Sequence, residues 1–223
     1  MNTSPEYFRQ QYREKYIGSH YHGWWHFSFT VTVSSVIAVL CFQQLDNVGG
    51  LEWLTIPLTF LYANFSEYFG HRGPMHHKRK GLGQVYERHT NQHHVFFNHE
   101  HMEFDSSRDF KAVLFPPILI VFFLAAFGTP MAMLLAWLFN SNVAYLFALT
   151  GILYFLNYEL LHFAHHLPPD NPIARLPFMK ALRQHHTYHH DPRLMGKYNF
   201  NITYPVADWV MGTYYSEKND KAT

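Results

Sequence analysis

Cysteine is almost missing from this sequence of 223 residues: the single one, Cys41, sits inside an apolar run. Disulfides and thiolate metal sites are therefore excluded as organising features. Net charge is nearly missing as well, at +1, so nothing favours nucleic acid or a strongly acidic partner. The residues before the first apolar run are polar and aromatic, and no cleavable signal peptide is expected. The His-Glu-x-x-His motif of zinc hydrolases is absent, as is any recognisable nucleophile motif. There is no cytochrome b5-like His-Pro-Gly-Gly and no cysteine set for an iron-sulfur cluster, so the chain carries no electron-transfer module of its own. No internal repeat is evident beyond two histidine-rich regions.

What the chain does have is aromatic side chains, at 18%, and 18 histidines. Its mean hydropathy of -0.18 is that of a soluble protein, but the apolar residues are gathered in blocks. Four blocks have the roughly 20 residues a helix needs to cross a bilayer. They run from Trp25 to Gln43, from Leu51 to Phe69, from Val113 to Phe139 and from Val143 to Leu161. The third is longer than one crossing needs, and Gly128-Thr129-Pro130 predicts a kink or break there, because proline removes a backbone donor. All 17 lysines and arginines lie in the segment up to Trp24, the loop His71 to Lys111 or the tail after His162. The two short connections, Gln44 to Gly50 and Asn140 to Asn142, have none. Positive charge stays on the cytoplasmic side, which puts both termini and the long loop there. The expected fold is an all-α integral membrane protein of about four transmembrane helices, a single domain over residues 1–223 with a cytoplasmic histidine-rich cap. Tyr7 to Tyr16 suits either an interfacial amphipathic stretch or a solvated helix. Pro168, Pro169, Pro172 and Pro177 mark an irregular stretch after the last span.

The histidines fall just past the cytoplasmic ends of two spans, so an even number of crossings lets them meet. One region holds His71, His76 and His77, then His89, His93 and His94, with His99 and His101 beyond; the other holds His162, His165 and His166, then His185, His186, His189 and His190. Residues three and four apart share a helix face, which groups His162 with His166, and His186 with His189 and His190. His89 and His93 share a face on the same rule, with His94 turned by one residue. Such repeats deliver several nitrogens to adjacent metals, and their number argues for more than one ion. Imidazole alone does not choose among zinc, copper, iron and nickel. His20, His22 and His26 read as polar residues near the interface, and His77, His165 and His185 as neighbours of ligands.

At these residues the chain resembles the fatty acid hydroxylase and sterol desaturase superfamily of membrane enzymes. His71 and His76 match its first box, His162 and His166 its third, and His186, His189 and His190 its fourth. The segment from Asn199 through Asp208 to Thr213 is similar to its closing segment, and the likeness covers roughly residues 68–214. One departure lies in the second box, where Thr90 stands in place of the usual histidine; His93 and His94 carry over, and His89 substitutes one residue earlier. The resemblance implies a non-haem di-iron centre with ligands His71, His76, His89, His93, His94, His162, His166, His186, His189 and His190. It implies dioxygen as co-substrate and attack on an unactivated lipid C–H bond, giving hydroxylation or, as a close variant, desaturation. Electrons would come from a separate donor of ferredoxin or cytochrome b5 type with its reductase.

Carboxylates near these boxes are few. Glu67, four residues before His71, and Glu159, three before His162, are candidates to accept the second imidazole proton of a ligand. Asp191 and Asp208 serve similarly or cap turns. A metal-transport or metal-binding membrane protein without oxygenase activity is the competing class. Transporters place ligands near the bilayer midplane on broken helices, whereas these clusters begin where the apolar runs stop.

Overall fold

Ser4 accepts a hydrogen bond from the Tyr7 amide and Pro5 follows it, a pairing that starts helix α1, Pro5–Tyr16. A computed structural model describes residues 4–217, and among these the secondary structure is helical apart from an isolated bridge between Asn98 and His101. The principal further helices are α2, Gly23–Gln43; α3, Thr55–Gly70; α4, Thr129–Leu138; α5, Ser141–His165; α6, Pro177–His189; and α7, Val206–Met211.

Among the described residues, three segments are long and apolar enough to cross a membrane: Gly23–Gln43, Ser107–Leu138 and Ser141–His165. The predicted span Leu51 to Phe69 lies within a continuous helical run, in which a 3-10 turn, Glu52–Leu54, leads into α3 and a π-helical turn, His71–Met75, follows it. Polar Glu52, Asn64, Ser66 and Glu67 dilute its apolar character, and it is not one of the three. The third segment breaks earlier than predicted, at Leu114 to Pro117, where Pro116 and Pro117 interrupt the helix. At the expected position it continues, because a π-helical turn over Leu124–Gly128 directly precedes Pro130. A widened turn absorbs the missing proline donor without ending the helix.

The chain forms two compact units. Of the described residues, one comprises 24–63 and 115–159, and the other 4–23, 64–114 and 160–217. The first is the apolar unit. Trp25, Leu58, Trp137 and Phe139 are exposed on it, as lipid-facing side chains are. Its two short connections meet at one end. Asn142 donates to the Asp46 carbonyl at 2.7 Å, and Asn140 donates to Glu52 at 2.6 Å. His26 is buried here and donates to the Phe115 carbonyl at 2.9 Å, while Glu159 accepts from the Phe115 amide at 3.1 Å. Both side chains therefore satisfy backbone groups freed by the proline break, a role that spacing alone did not suggest.

The second, the histidine unit, carries every histidine from His71 onward. Tyr68, Phe200 and Ala207 form a buried cluster, with the Tyr68 and Phe200 rings edge-on at 5.6 Å. Helix α1 belongs to this unit and packs against it rather than standing free in solvent. Arg9 and Tyr12 are buried, and Tyr12 packs edge-on to Phe96 at 5.2 Å. The residues after α5 are irregular, as the prolines predict, until Pro177 opens α6 at its first position.

Candidate metal centre

Two π-helical turns build the first half of the site. One spans His71–Met75 with Pro74 inside it, and the other spans Glu87–His93. An α-helix turns residues five apart away from each other, whereas a π-helix closes its turn through i→i+5 bonds and brings them together. His71 and His76 accordingly place their Nε2 atoms 3.1 Å apart, and so do His89 and His94. The rings of His89 and His93 do stack, at 5.2 Å. The widened turn nevertheless groups His89 with His94 and sends His93 to other partners. Thr90, in the place of the family's histidine, is buried and donates to the Met75 carbonyl at 2.6 Å, tying one π turn to the other. Helices α5 and α6 supply the second half at α-helical spacing, with His186 and His190 Nε2 atoms 3.0 Å apart.

These side chains gather as two groups in which one ligand atom from each lies within 4.8 Å of the others: His71, His76, His89, His94 and His189; and His93, His166, His186 and His190. His162 adjoins the second group, its Nε2 lying 3.2 Å from that of His93. All ten histidines of the boxes are buried. His165 and His185 are buried beside them and contact the carbonyls of Ile202 and Asn201 at 3.0 and 3.1 Å. His77, His99 and His101 are exposed, as are His20 and His22.

Five of the outer nitrogens are held by backbone carbonyls. The Nδ1–H of His93 donates to Ala112 at 2.9 Å, that of His166 to Met102 at 2.6 Å, and that of His189 to Tyr198 at 2.9 Å. His71 donates likewise to Phe200 and His190 to Phe97. A carbonyl only accepts, so each Nδ1 carries the proton, and each neutral ring must then present a lone pair at Nε2. Sequence spacing pointed to Glu67 and Glu159 for this outer role. Glu67 instead accepts from the Ile202 and Thr203 amides and the Thr203 hydroxyl, and so braces the loop that carries Phe200. The carbonyl acceptors were missed because any residue type supplies one.

Asn199 adopts a left-handed conformation, φ 57°, between the two acceptor residues Tyr198 and Phe200. Asparagine tolerates that region better than most residues. Its amide donates to the His185 carbonyl at 3.0 Å, and its side-chain oxygen accepts from the Tyr215 amide at 2.7 Å. Asp208 is buried and accepts from the amides of Phe200 and Asn201 at 2.9 and 2.7 Å. Asp191 pairs with Arg193 at 2.5 Å.

The donor set fits metal ions. The His76 Nε2 faces that of His189 at 2.8 Å, and His71 faces His89 at 2.7 Å. His71 and His189 have already committed their protons outward, so lone pairs converge. His166 Nε2 is buried with no hydrogen-bond partner. A buried acceptor left unpaired is costly, and a cation at the convergence would satisfy several at once. Protons are unwelcome there. Burial pushes His71 well below the ordinary imidazole range, helped by neighbouring His189, and lowers His89 and His94 in the same way. Burial lowers His93 to about 3 and His189 to about 4, although their carbonyl partners act in the opposite direction. Neutral imidazole is the form that binds metal.

The fold and site together define an all-helical membrane protein with a buried polyhistidine centre. Residues 56–213 match the family model described as fatty acid hydroxylase. The chain belongs to that family, which makes it an oxidoreductase. Among solved structures it is similar to full-length Scs7p, in which only the hydroxylase domain is visible. The TM-score is 0.59 at 19% identity, covering 87% of this chain and 67% of that one. That likeness speaks for the fold. No curated protein sequence matches the chain.

Proposed function

We propose that this chain hydroxylates a C–H bond of a lipid, using dioxygen at a centre of two iron ions. The observation that carries the reading is the pair of buried histidine groups, in a chain whose family is the fatty acid hydroxylases. The five-histidine group, His71, His76, His89, His94 and His189, would hold one ion. His93, His166, His186 and His190, with His162 beside them, would hold the other. Iron bound at these groups would supply dioxygen activation and the oxidising power for C–H cleavage.

The chain's own residues fix the conditions. Carbonyl partners lock five rings in the tautomer that turns Nε2 inward. Burial excludes water and keeps the rings unprotonated. A lipid substrate agrees with the apolar unit. That unit contains a cavity of about 660 Å³, lined by residues including Ile37, Tyr62, Ile120, Phe123 and Phe155. Its volume falls in the range of small-molecule sites.

The reading includes a single membrane-embedded domain with four crossings, the helical run through α3 providing the second. Both termini and the histidine groups face the cytoplasm, because the lysines and arginines are confined to those segments. Electrons would arrive there from a separate donor of ferredoxin or cytochrome b5 type.

Lipid mass spectrometry of cells expressing the native chain or His189→Ala tests the proposal. A lipid gaining one oxygen with the native chain alone supports it and names the substrate class. A lipid losing two hydrogens instead would make the protein a desaturase. Identical profiles in the presence of a competent donor would refute an oxygenase.

A further inference from the structure

The two histidine groups are braced by different parts of the chain. His93, His166 and His190 take their orientation from the carbonyls of Ala112, Met102 and Phe97, all within residues 97–112, a loop that runs into the short helical turns Ser107–Asp109 and Phe110–Val113. His71 and His189 take theirs from Phe200 and Tyr198, in a second stretch. Each stretch is organised by a fully buried carboxylate. Asp208 holds the second, through the Phe200 and Asn201 amides and the Thr213 hydroxyl. Asp109 holds the first, through the Asp105 and Ser106 amides at 2.9 and 3.2 Å.

Asp109 is matched by a charge from α1. The Arg13 guanidinium donates to both of its oxygens at 2.8 Å and to Asp105 at 2.5 Å. One turn earlier, Arg9 lies 4.7 Å from the Phe96 ring centre and 5.3 Å from that of Phe97, and donates to the Glu103 carbonyl. The stretch answers with its own cations. Arg108 donates to the Ile17 carbonyl at 3.2 Å and Lys111 to that of Tyr16 at 2.5 Å, both at the C-terminal end of α1. Gly23 then presses on the same segment, and a Cβ there would lie 1.8 Å from the Ser107 carbonyl oxygen. The contacts therefore run from α1 through Asp109 to the three acceptor carbonyls. Residues 5–17 lie outside the segment matched by the family model.

We infer that α1 is a strut for one half of the metal centre, with Arg13 and Asp109 as positioning residues for the group of His93, His166, His186 and His190. The inference rests on the two-ion reading proposed above. Without the strut the three carbonyls move, the rings lose their fixed tautomer, and that group binds metal more weakly. The five-histidine group keeps its own brace at Asp208 and keeps its metal. The halves should therefore be separable by substitutions far from any ligand nitrogen.

The experiment uses the full chain, purified in detergent and loaded with ferrous iron without oxygen. Metal per chain and its release to a chelator are measured for the native protein, Asp109→Asn, Arg13→Met, Arg13→Lys and Asp208→Asn. In Asp109→Asn and Arg13→Met one ion should be lost or released roughly 10–100-fold faster, the scale set by outer partners of metal-bound histidine. The second ion should be held as in the native chain. Arg13→Lys keeps the charge and should recover part of the loss. Adding His190→Ala to Asp109→Asn should remove nothing more, whereas adding His189→Ala should empty the protein. Asp208→Asn should show the opposite selectivity. Should Asp109→Asn not fold, the two Arg13 variants decide the matter. A native chain that binds no metal would refute the two-ion reading itself. Two ions in the native chain, with Asp109→Asn and Arg13→Met releasing both at native rates or losing both together, would refute the strut alone.

Discussion

His76 and His189, 113 residues apart in the chain, bring their Nε2 atoms to 2.8 Å inside a buried cluster. The contact joins a π-helical turn after α3 to the last turn of α6, and it depends on rings kept neutral by burial. Outer partners of metal-bound histidine are worth about 10–100-fold in affinity or activity. A ligand itself should be worth at least as much. His76→Ala and His189→Ala should each lower iron content by about one ion per chain and reduce lipid oxidation at least about a hundredfold. Elemental analysis beside a lipid assay checks both. Retention of full iron by either variant would remove that residue from the ligand set.

Thr90 tests the departure from the family's pattern. Its hydroxyl bonds the Met75 carbonyl in a buried position, so the side chain acts as a tie between the two π turns. Thr90→Val should cost about 0.5–1.5 kcal/mol in stability, the ordinary worth of one such bond. Thr90→His should destabilise by about 1–3 kcal/mol through overpacking and should add no iron. Thermal unfolding with metal analysis distinguishes the cases. If Thr90→His instead rescued the iron lost in His89→Ala, His89 would not be the natural substitute.

Acid should weaken the metal-free protein. An imidazole held neutral in the fold, yet free to protonate when unfolded, favours the fold above the unfolded pKa of about 6.5. That contribution fades as pH falls, down to about 4 for His189 and about 3 for His93. Each such group gives up about 1.4 kcal/mol per pH unit in that window. The melting temperature of the metal-free chain should therefore drop between pH 7.5 and pH 5.5, and iron affinity should drop with it as protons compete. An unchanged melting temperature would show that these rings are not held neutral.

Much of the site was legible because the histidines are numerous and recur at helical spacing. His162 with His166, and His186 with His190, follow from α-helical geometry alone. The pairing of His89 with His94 did not, since five-residue spacing converges only in a π-helix and no simple residue pattern announces one. The acceptors for the outer nitrogens were hidden for a plainer reason: Phe97, Met102, Ala112, Tyr198 and Phe200 act through their backbones, which all residues share. In the fold, hydropathy located the apolar blocks. It could not see that Pro116 and Pro117 would break the third segment while Pro130 would not. The role of α1 was equally silent, because the hydrogen-bond partners of Arg9 and Arg13 lie more than 90 positions away.

The most direct test of an oxygenase is the origin of the oxygen it installs. Membranes containing the native chain and a competent electron donor should be supplied with isotopically heavy dioxygen in ordinary water. An oxygenase gives a lipid product carrying one heavy oxygen, and none when His189→Ala replaces the native chain. A product whose oxygen comes from water, or one formed equally by the variant, would contradict the oxygenase reading.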